Sequence, residues 1–180
     1  MAREVIIKKA LPDEMGVLQK ICNETYSIYF FNYWENEGLN LYLEDQFGNV
    51  HLKADLSNKV IDYYFICLDE VPIGFLKING EVSFESYNKT DNCELEKMYL
   101  YPKYIGTGIG TRALNLLIEK ISKEKRTNLI VEVLDTNLNG ISFYEKLGFK
   151  FHSKTVVKAP HFKQELNGLN RMVLKLSDLA

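Results

Sequence analysis

The sequence predicts one α/β domain of the α+β kind, a mixed central sheet of six to seven strands flanked by about four helices. Three observations carry that expectation. The chain has 180 residues, and one core accommodates them, because domains of about 100–150 residues are commonest and single cores keep growing to about 250. Its 46% hydrophobic and 26% charged residues match globular usage rather than the apolar-poor composition of disordered chains. Its second half alternates strand-like and helix-like runs, a spacing that favours parallel pairing across right-handed crossovers. A single unit over residues 1–180 is therefore expected.

In chain order, Glu4 to Lys8 is a β-rich run that stops at Leu11-Pro12. Asp13 then opens a helical pattern with apolar Met15, Val17, Leu18, Ile21 and Tyr26. A dense aromatic stretch follows, then helical segments near Leu39–Phe47 and Val50–Leu56. Val60–Leu68 and Ile73–Asn79 are β-branched and aromatic, with turn residues between them, and predict a hairpin. Gly80 to Asn92 is polar and predicts a loop. Beyond it the expectation is strand Glu94–Leu100, a glycine loop, helix Thr111–Lys125, strand Asn128–Leu134, helix Asn137–Lys146, and strands Lys150–Lys158 and Asn170–Leu176. The last two strands pair antiparallel across a long connection containing Pro160 and Gly168.

Charge excludes one class of partner. A formal net charge of −2 gives no basic face for nucleic acid. No apolar run reaches the roughly 18–20 residues of a membrane helix, and the first residues lack a secretory pattern, so neither membrane nor export is expected and the compartment reads as cytoplasmic. Cys22, Cys67 and Cys93 are widely spaced, and His51, His152 and His161 are scattered, which predicts buried thiols and neither a disulfide frame nor a metal site.

The chemistry is concentrated where a strand runs through Tyr99-Leu-Tyr-Pro-Lys-Tyr-Ile-Gly-Thr-Gly-Ile-Gly-Thr into a helix. Gly106, Gly108 and Gly110 lack Cβ atoms, so the backbone can turn several N–H groups toward one point, and the helix N-terminus adds about half a positive charge. Such a loop suits a phosphate or pyrophosphate. A P-loop would require Lys and Ser or Thr after the last glycine, where Thr111 and Arg112 stand. The G-x-G-x-G spacing also departs from the dinucleotide fingerprint, despite Glu132 downstream, and the preceding strand carries Glu94, Glu96 and Lys97.

The segment Ile105-Gly-Thr-Gly-Ile-Gly110 resembles the Gln/Arg-x-x-Gly-x-Gly/Ala motif of the GNAT acetyltransferases, with Ile105 where that family usually has Gln or Arg. Asn137-Leu-Asn-Gly-Ile-Ser-Phe-Tyr-Glu-Lys-Leu-Gly-Phe149 is similar to the family's second signature, with Gly140 in place of a common Ala. The likeness covers the C-terminal half well and the N-terminal half loosely. Leu-Tyr-Leu-Glu (41–44), Lys-Ala-Asp-Leu-Ser-Asn (53–58) and the Tyr-Tyr-Phe-Ile-Cys strand that follows resemble the bacterial spermine/spermidine acetyltransferases. The resemblance implies a GNAT fold and acetyl-CoA as cosubstrate without a metal. It implies cofactor contacts from Met98, Tyr99, Leu100, Ile105, Gly106, Thr107, Gly108, Ile109, Gly110, Thr111, Asn137 and Tyr144. Asn137 also reads as a helix N-cap.

Acetyl transfer to an alkyl amine faces a protonation cost: at pKa about 10.4 only about one amine in 2,500 is neutral at pH 7, a deficit of about 4.6 kcal/mol. Strand alternation would place Glu94, Glu96, Met98 and Leu100 on one face, where partial burial would raise the Glu96 pKa and suit it to proton transfer. Glu94 is the second candidate. The resemblance implies Tyr144 as the acid that protonates the leaving thiolate. Aromatic and acidic residues before the second helix, Tyr29, Tyr33, Trp34 and Glu35, together with Glu94, suit a cationic small-molecule amine such as spermidine or spermine. The rival expectations are a protein or peptide N-acetyltransferase, a non-catalytic CoA-binding regulatory domain and a dinucleotide enzyme; a homodimer is one open assembly.

Overall fold

The computed structural model describes residues 3–124 and 126–179. Its seven strands form one mixed sheet in the order β1 (Val5–Lys9), β2 (Ile61–Leu68), β3 (Val71–Asn79), β4 (Asn92–Leu100), β5 (Asn128–Leu134), β7 (Gly168–Lys175) and β6 (Lys150–Val156). Helices α1 (Met15–Phe30), α2 (Gly38–Phe47) and α3 (Asn49–Ser57) cover one face, and α4 (Ile109–Lys123) and α5 (Leu138–Lys146) the other. Gly48, extended at ψ 157°, separates α2 from α3, in keeping with the two expected helical segments Leu39–Phe47 and Val50–Leu56. The expected extension of α4 to Lys125 falls outside the described residues.

Local sequence explains most elements. In α1 the buried set Leu18, Ile21, Cys22, Thr25 and Tyr26 recurs at three- and four-residue spacing, the signature of one helix face. Thr25, the polar member, donates its hydroxyl to the Ile21 carbonyl at 2.7 Å. In α4 the buried stripe is Ile109, Ala113, Leu114, Leu117, Ile118 and Ile121. The β2–β3 hairpin turns on Asp69 and Glu70 alone, both at positive φ, as a two-residue turn that matches strand twist requires. All three cysteines are buried and free, as expected.

Pairing departs from expectation at two places. The crossover through α4 gives a parallel β4–β5 pair, as predicted, but the crossover through α5 does not give a parallel neighbour. Instead β7 inserts between β5 and β6, antiparallel to both. The second departure is a bulge in β4. Lys77 pairs with Lys97 while Ile78 pairs with Leu95, so Glu96 is the extra residue on its strand. The loop before β4 also carries more packing than its polar composition suggested, since Phe84 is buried against Ile130 and Val173.

Candidate active site

The bulge decides which side chains face which layer. Leu95 and Met98 lie in the cluster beneath α4 and α5, whereas Tyr99 packs with the α1–α3 layer and Lys97 reaches Tyr42 and Gln46 of α2. Glu96 also points to the α1–α3 side, where it meets Lys77 at 3.0 Å. The expectation that Glu96 shares a face with Met98 and Leu100 is thus corrected, because simple alternation fails across an inserted residue. Its carboxylate is not in apolar surroundings. It joins the buried Lys77, which also contacts Asp55 at 2.9 Å, and Asp55 accepts from the Tyr63 hydroxyl at 2.9 Å. Burial alone would lower the Lys77 pKa, but Glu96 and Asp55 outweigh it and raise the value.

Glu94 occupies a different environment. It faces the same layer, with no ion pair among the described residues. Burial first, then the nearby charges of Glu96 and Glu132, push its pKa up to about 7. Of the two strand carboxylates, Glu94 is therefore the one poised to exchange a proton near neutral pH, and Glu96 is held in a salt bridge.

Beyond the bulge the sheet opens. Parallel pairing of β4 with β5 runs from Asn92–Asn128 to Leu95–Val131 and stops, although β4 continues to Leu100 and β5 to Leu134. The divergence leaves a cleft of about 1720 Å³ that passes through the sheet from the α4–α5 side to the α1–α3 side. On the first side lies the glycine loop. Gly106 and Gly108 have φ of +75° and +82°, and a Cβ built on either would meet nothing within 4 Å, so the loop presents bare backbone to open space. The first bond of α4 runs from Arg112 N to Gly108 O at 3.1 Å. The amides of Ile109, Gly110 and Thr111 consequently have no acceptor within their own helix and are available to an anion.

Tyr144 closes the same side of the cleft. It is buried among Ile141, Phe143, Leu147 and Phe149, and burial raises its pKa, which keeps the phenol protonated. Asn137 caps α5 by accepting from Gly140 N at 2.9 Å. A Cβ built on residue 140 would approach the Asn137 side-chain amide to 2.5 Å, so a larger residue there would require that side chain to shift.

Residues 19–149 match the Acetyltransferase (GNAT) family. The chain belongs to that family. An N-acetyltransferase of Methanocaldococcus jannaschii, described as uncharacterised, is 32% identical over 98 residues, 54% of this chain and 42% of the relative. The spermine/spermidine N(1)-acetyltransferase of Bacillus subtilis is 23% identical over 83 residues, 46% of this chain and 55% of the relative. The chain thus spans about half the length of these curated relatives. Among solved structures, the PaiA N-acetyltransferase of Thermoplasma acidophilum in complex with coenzyme A superposes with a TM-score of 0.73 at 20% identity, covering 96% of this chain and 99% of the other. The ribosomal-protein-S18-alanine N-acetyltransferase of Escherichia coli gives 0.66 at 16% identity, with 96% and 94% covered. These likenesses establish the GNAT fold.

Within this GNAT chain the cleft gathers most of the residues singled out in the sequence. Met98, Tyr99, Leu100, Ile105, Gly106, Gly108, Gly110, Thr111, Asn137 and Tyr144 line it, as do Tyr29, Tyr33, Trp34, Glu94 and Glu96. Three residues do not line it. The Thr107 hydroxyl turns back to the Tyr104 carbonyl at 2.6 Å, and Ile109 is buried under α4. Glu35 is exposed outside the cleft, its backbone N–H donating to the His161 carbonyl at 2.8 Å.

Sequence reasoning missed the far wall. The connection between β6 and β7 crosses to the turn after α1, where Trp34 and Phe162 form a bridge and Lys163 N donates to the Tyr33 carbonyl at 2.9 Å. Trp34, Tyr42 and Phe162 thereby form an aromatic wall, with ring centroids 4.7 and 5.0 Å from Trp34. It also missed Lys97 and Arg171, whose Nε and Nη2 both bond Glu132 Oε1, at 3.0 and 2.7 Å. The sole clue in the sequence was their placement at cleft-facing strand positions.

Proposed function

We propose that this GNAT protein transfers an acetyl group from acetyl-CoA to the primary amine of a small molecule, with both substrates bound together in the sheet opening. The observation that carries the reading is the pairing of a bare glycine cradle on one side of the opening with a proton-accepting carboxylate on the other. The cradle fits a diphosphate, because Gly106 and Gly108 leave space that any side chain would occupy and the first amides of α4 lack acceptors. The unpaired edges of β4 from Glu96 to Leu100 and of β5 from Glu132 to Leu134 offer main-chain groups to an extended pantetheine arm. When bound, acetyl-CoA supplies the activated acyl group.

The chain's own residues then divide the proton work. Glu94 takes the proton from the ammonium of the acceptor, directly or through a water, and its raised pKa brings it closer to that of the amine than an ordinary carboxylate would be. Tyr144 holds its proton for the departing sulfur. Glu96, paired to Lys77, lies close enough to Glu94 for like-charge repulsion to raise the Glu94 pKa beyond the effect of burial. The aromatic wall of Trp34, Tyr42 and Phe162 shapes the acceptor side.

The Bacillus relative makes spermidine the first acceptor to assay. Product formation from acetyl-CoA and an amine panel, read by thiol release and mass shift of the amine, tests the reading. Thermal stabilisation by acetyl-CoA and none by NAD is the accompanying result, since a ligand at about 100 times its dissociation constant adds about 2.7 kcal/mol. Stabilisation by acetyl-CoA with no acylated amine and no acylated peptide would reduce the protein to a CoA-binding domain.

A further inference from the structure

The acceptor side of the cleft carries charges of both signs. Four carboxylates line it, from Asp45, Glu94, Glu96 and Glu132. Two are ion-paired, Glu96 to Lys77, which it shares with Asp55, and Glu132 to Arg171. A third, Asp45, accepts from the Gln46 side chain at 2.8 Å. Glu94 remains for the reacting amine. Of these four, only Glu94 and the exposed Asp45 of α2 lack a cationic partner among the described residues.

Against these stands Lys97. It lies directly across from Lys77 in the β3–β4 ladder, so two ammonium groups leave neighbouring positions of the same face. Lys77 is matched by two carboxylates, but among the described residues Lys97 has none within salt-bridge distance. Its Nζ is held by neutral atoms, the Tyr42 hydroxyl and the Gln46 carboxamide oxygen, each at 3.3 Å, and lies 5.7 Å from the ring centroids of Tyr42 and Phe47. These contacts aim the ammonium without neutralising it. A half-buried cation so placed attracts an anion and repels a second cation, more strongly than it would in bulk water. Arg171 adds to the bias, since its Nη1 has no partner among the described residues and its side chain borders the same space.

We infer that the acceptor is an amphoteric amino compound, in which the amine to be acetylated is accompanied by a carboxylate or similar anion, and that Lys97 receives that anion while Glu94 faces the amine. The inference deepens the acetyl-transfer reading and rests on it. Charge pairing at both ends would orient the acceptor along β4, from Glu94 toward the bulge, and would discriminate against polyamines by placing their distal ammonium beside Lys97.

Matched acceptors test this in the CoA-loaded protein by calorimetric titration, and in the acetyl-CoA reaction by initial rates. The probes are ω-amino acids of two to six carbons, the carboxamide of each, and the diamines and spermidine. The expected result is that at least one amino acid binds about tenfold or more tighter than its carboxamide and than any polyamine, the ratio a charge-assisted bond supplies. Lys97→Met should collapse that ratio to near unity, and Lys97→Arg should retain most of it. Equal binding of every acid and its amide, or tighter binding of spermidine, overturns the inference even if acetylation proceeds. Preserved discrimination without acetylation of any acceptor would sink the acetyl-transfer reading and leave the anion subsite standing.

Discussion

The ammonium of Lys77 stands 3.0 Å from the carboxylate of Glu96, beneath the bulge that this glutamate creates in β4. The pair ties the opened strand to α3 through Asp55, and it fixes the charge next to Glu94. Replacing Lys77 by Met would leave two carboxylates without their partner in a buried place. A loss of about 3–5 kcal/mol in urea unfolding is expected, with an acid limb of activity displaced from that of the native chain.

Glu94 should control the low-pH side of the rate profile. With its pKa near 7, kcat/KM should rise through pH 7 as the carboxylate ionises and then level. Glu94→Gln should lower kcat/KM by about a hundredfold to ten-thousandfold and abolish that limb. An unaltered profile in the glutamine variant would remove Glu94 from the proton path.

The same shift has a sign for stability. A carboxylate whose folded pKa lies above its unfolded value of 4.5 binds more protons in the folded state, so its favourable contribution is present below pH 4.5 and is lost as pH rises through about 7. Between pH 5 and 8 the native chain should therefore lose stability relative to Glu94→Gln. Denaturant midpoints across that interval, compared between the two proteins, give the measurement.

Tyr144→Phe removes a hydroxyl and little volume. Turnover should fall by about tenfold to a hundredfold while acetyl-CoA affinity stays within about twofold, because a general acid acts on the leaving group rather than on binding. Parallel titration and steady-state kinetics separate the two.

Gly108→Val should do the reverse of a folding mutation. The left-handed φ of +82° costs a β-branched residue about 1–2 kcal/mol, yet nothing in the fold obstructs the new side chain. The chain should remain folded, with acetyl-CoA affinity lowered by more than about tenfold as the side chain fills the cradle.

These residues also mark what a linear reading can reach. The cradle was legible because alternate glycines ahead of an amphipathic helix state their backbone geometry locally, and Asn137 was legible as a cap, whereas Tyr144 came from the family resemblance. The Glu96 environment was not, since a bulge is a property of two strands in register and β3 offers no mark of it in isolation. The insertion of β7 between β5 and β6 was hidden for the same reason. So was the meeting of Trp34 with Phe162, two residues far apart in sequence that no periodicity relates. The aromatic run near Tyr33 was visible, but its partner wall was not.

That bridge has a consequence for how such an enzyme changes its taste in substrates. One side of the cleft hangs from the connection 157–167, which takes no part in the ladders of β4. Rewriting those residues would reshape that side of the cleft while β4 and the glycine loop stayed as they are. The far wall and β4 thereby belong to separate stretches of chain, and the wall is free to drift without disturbing that strand or the glycine loop.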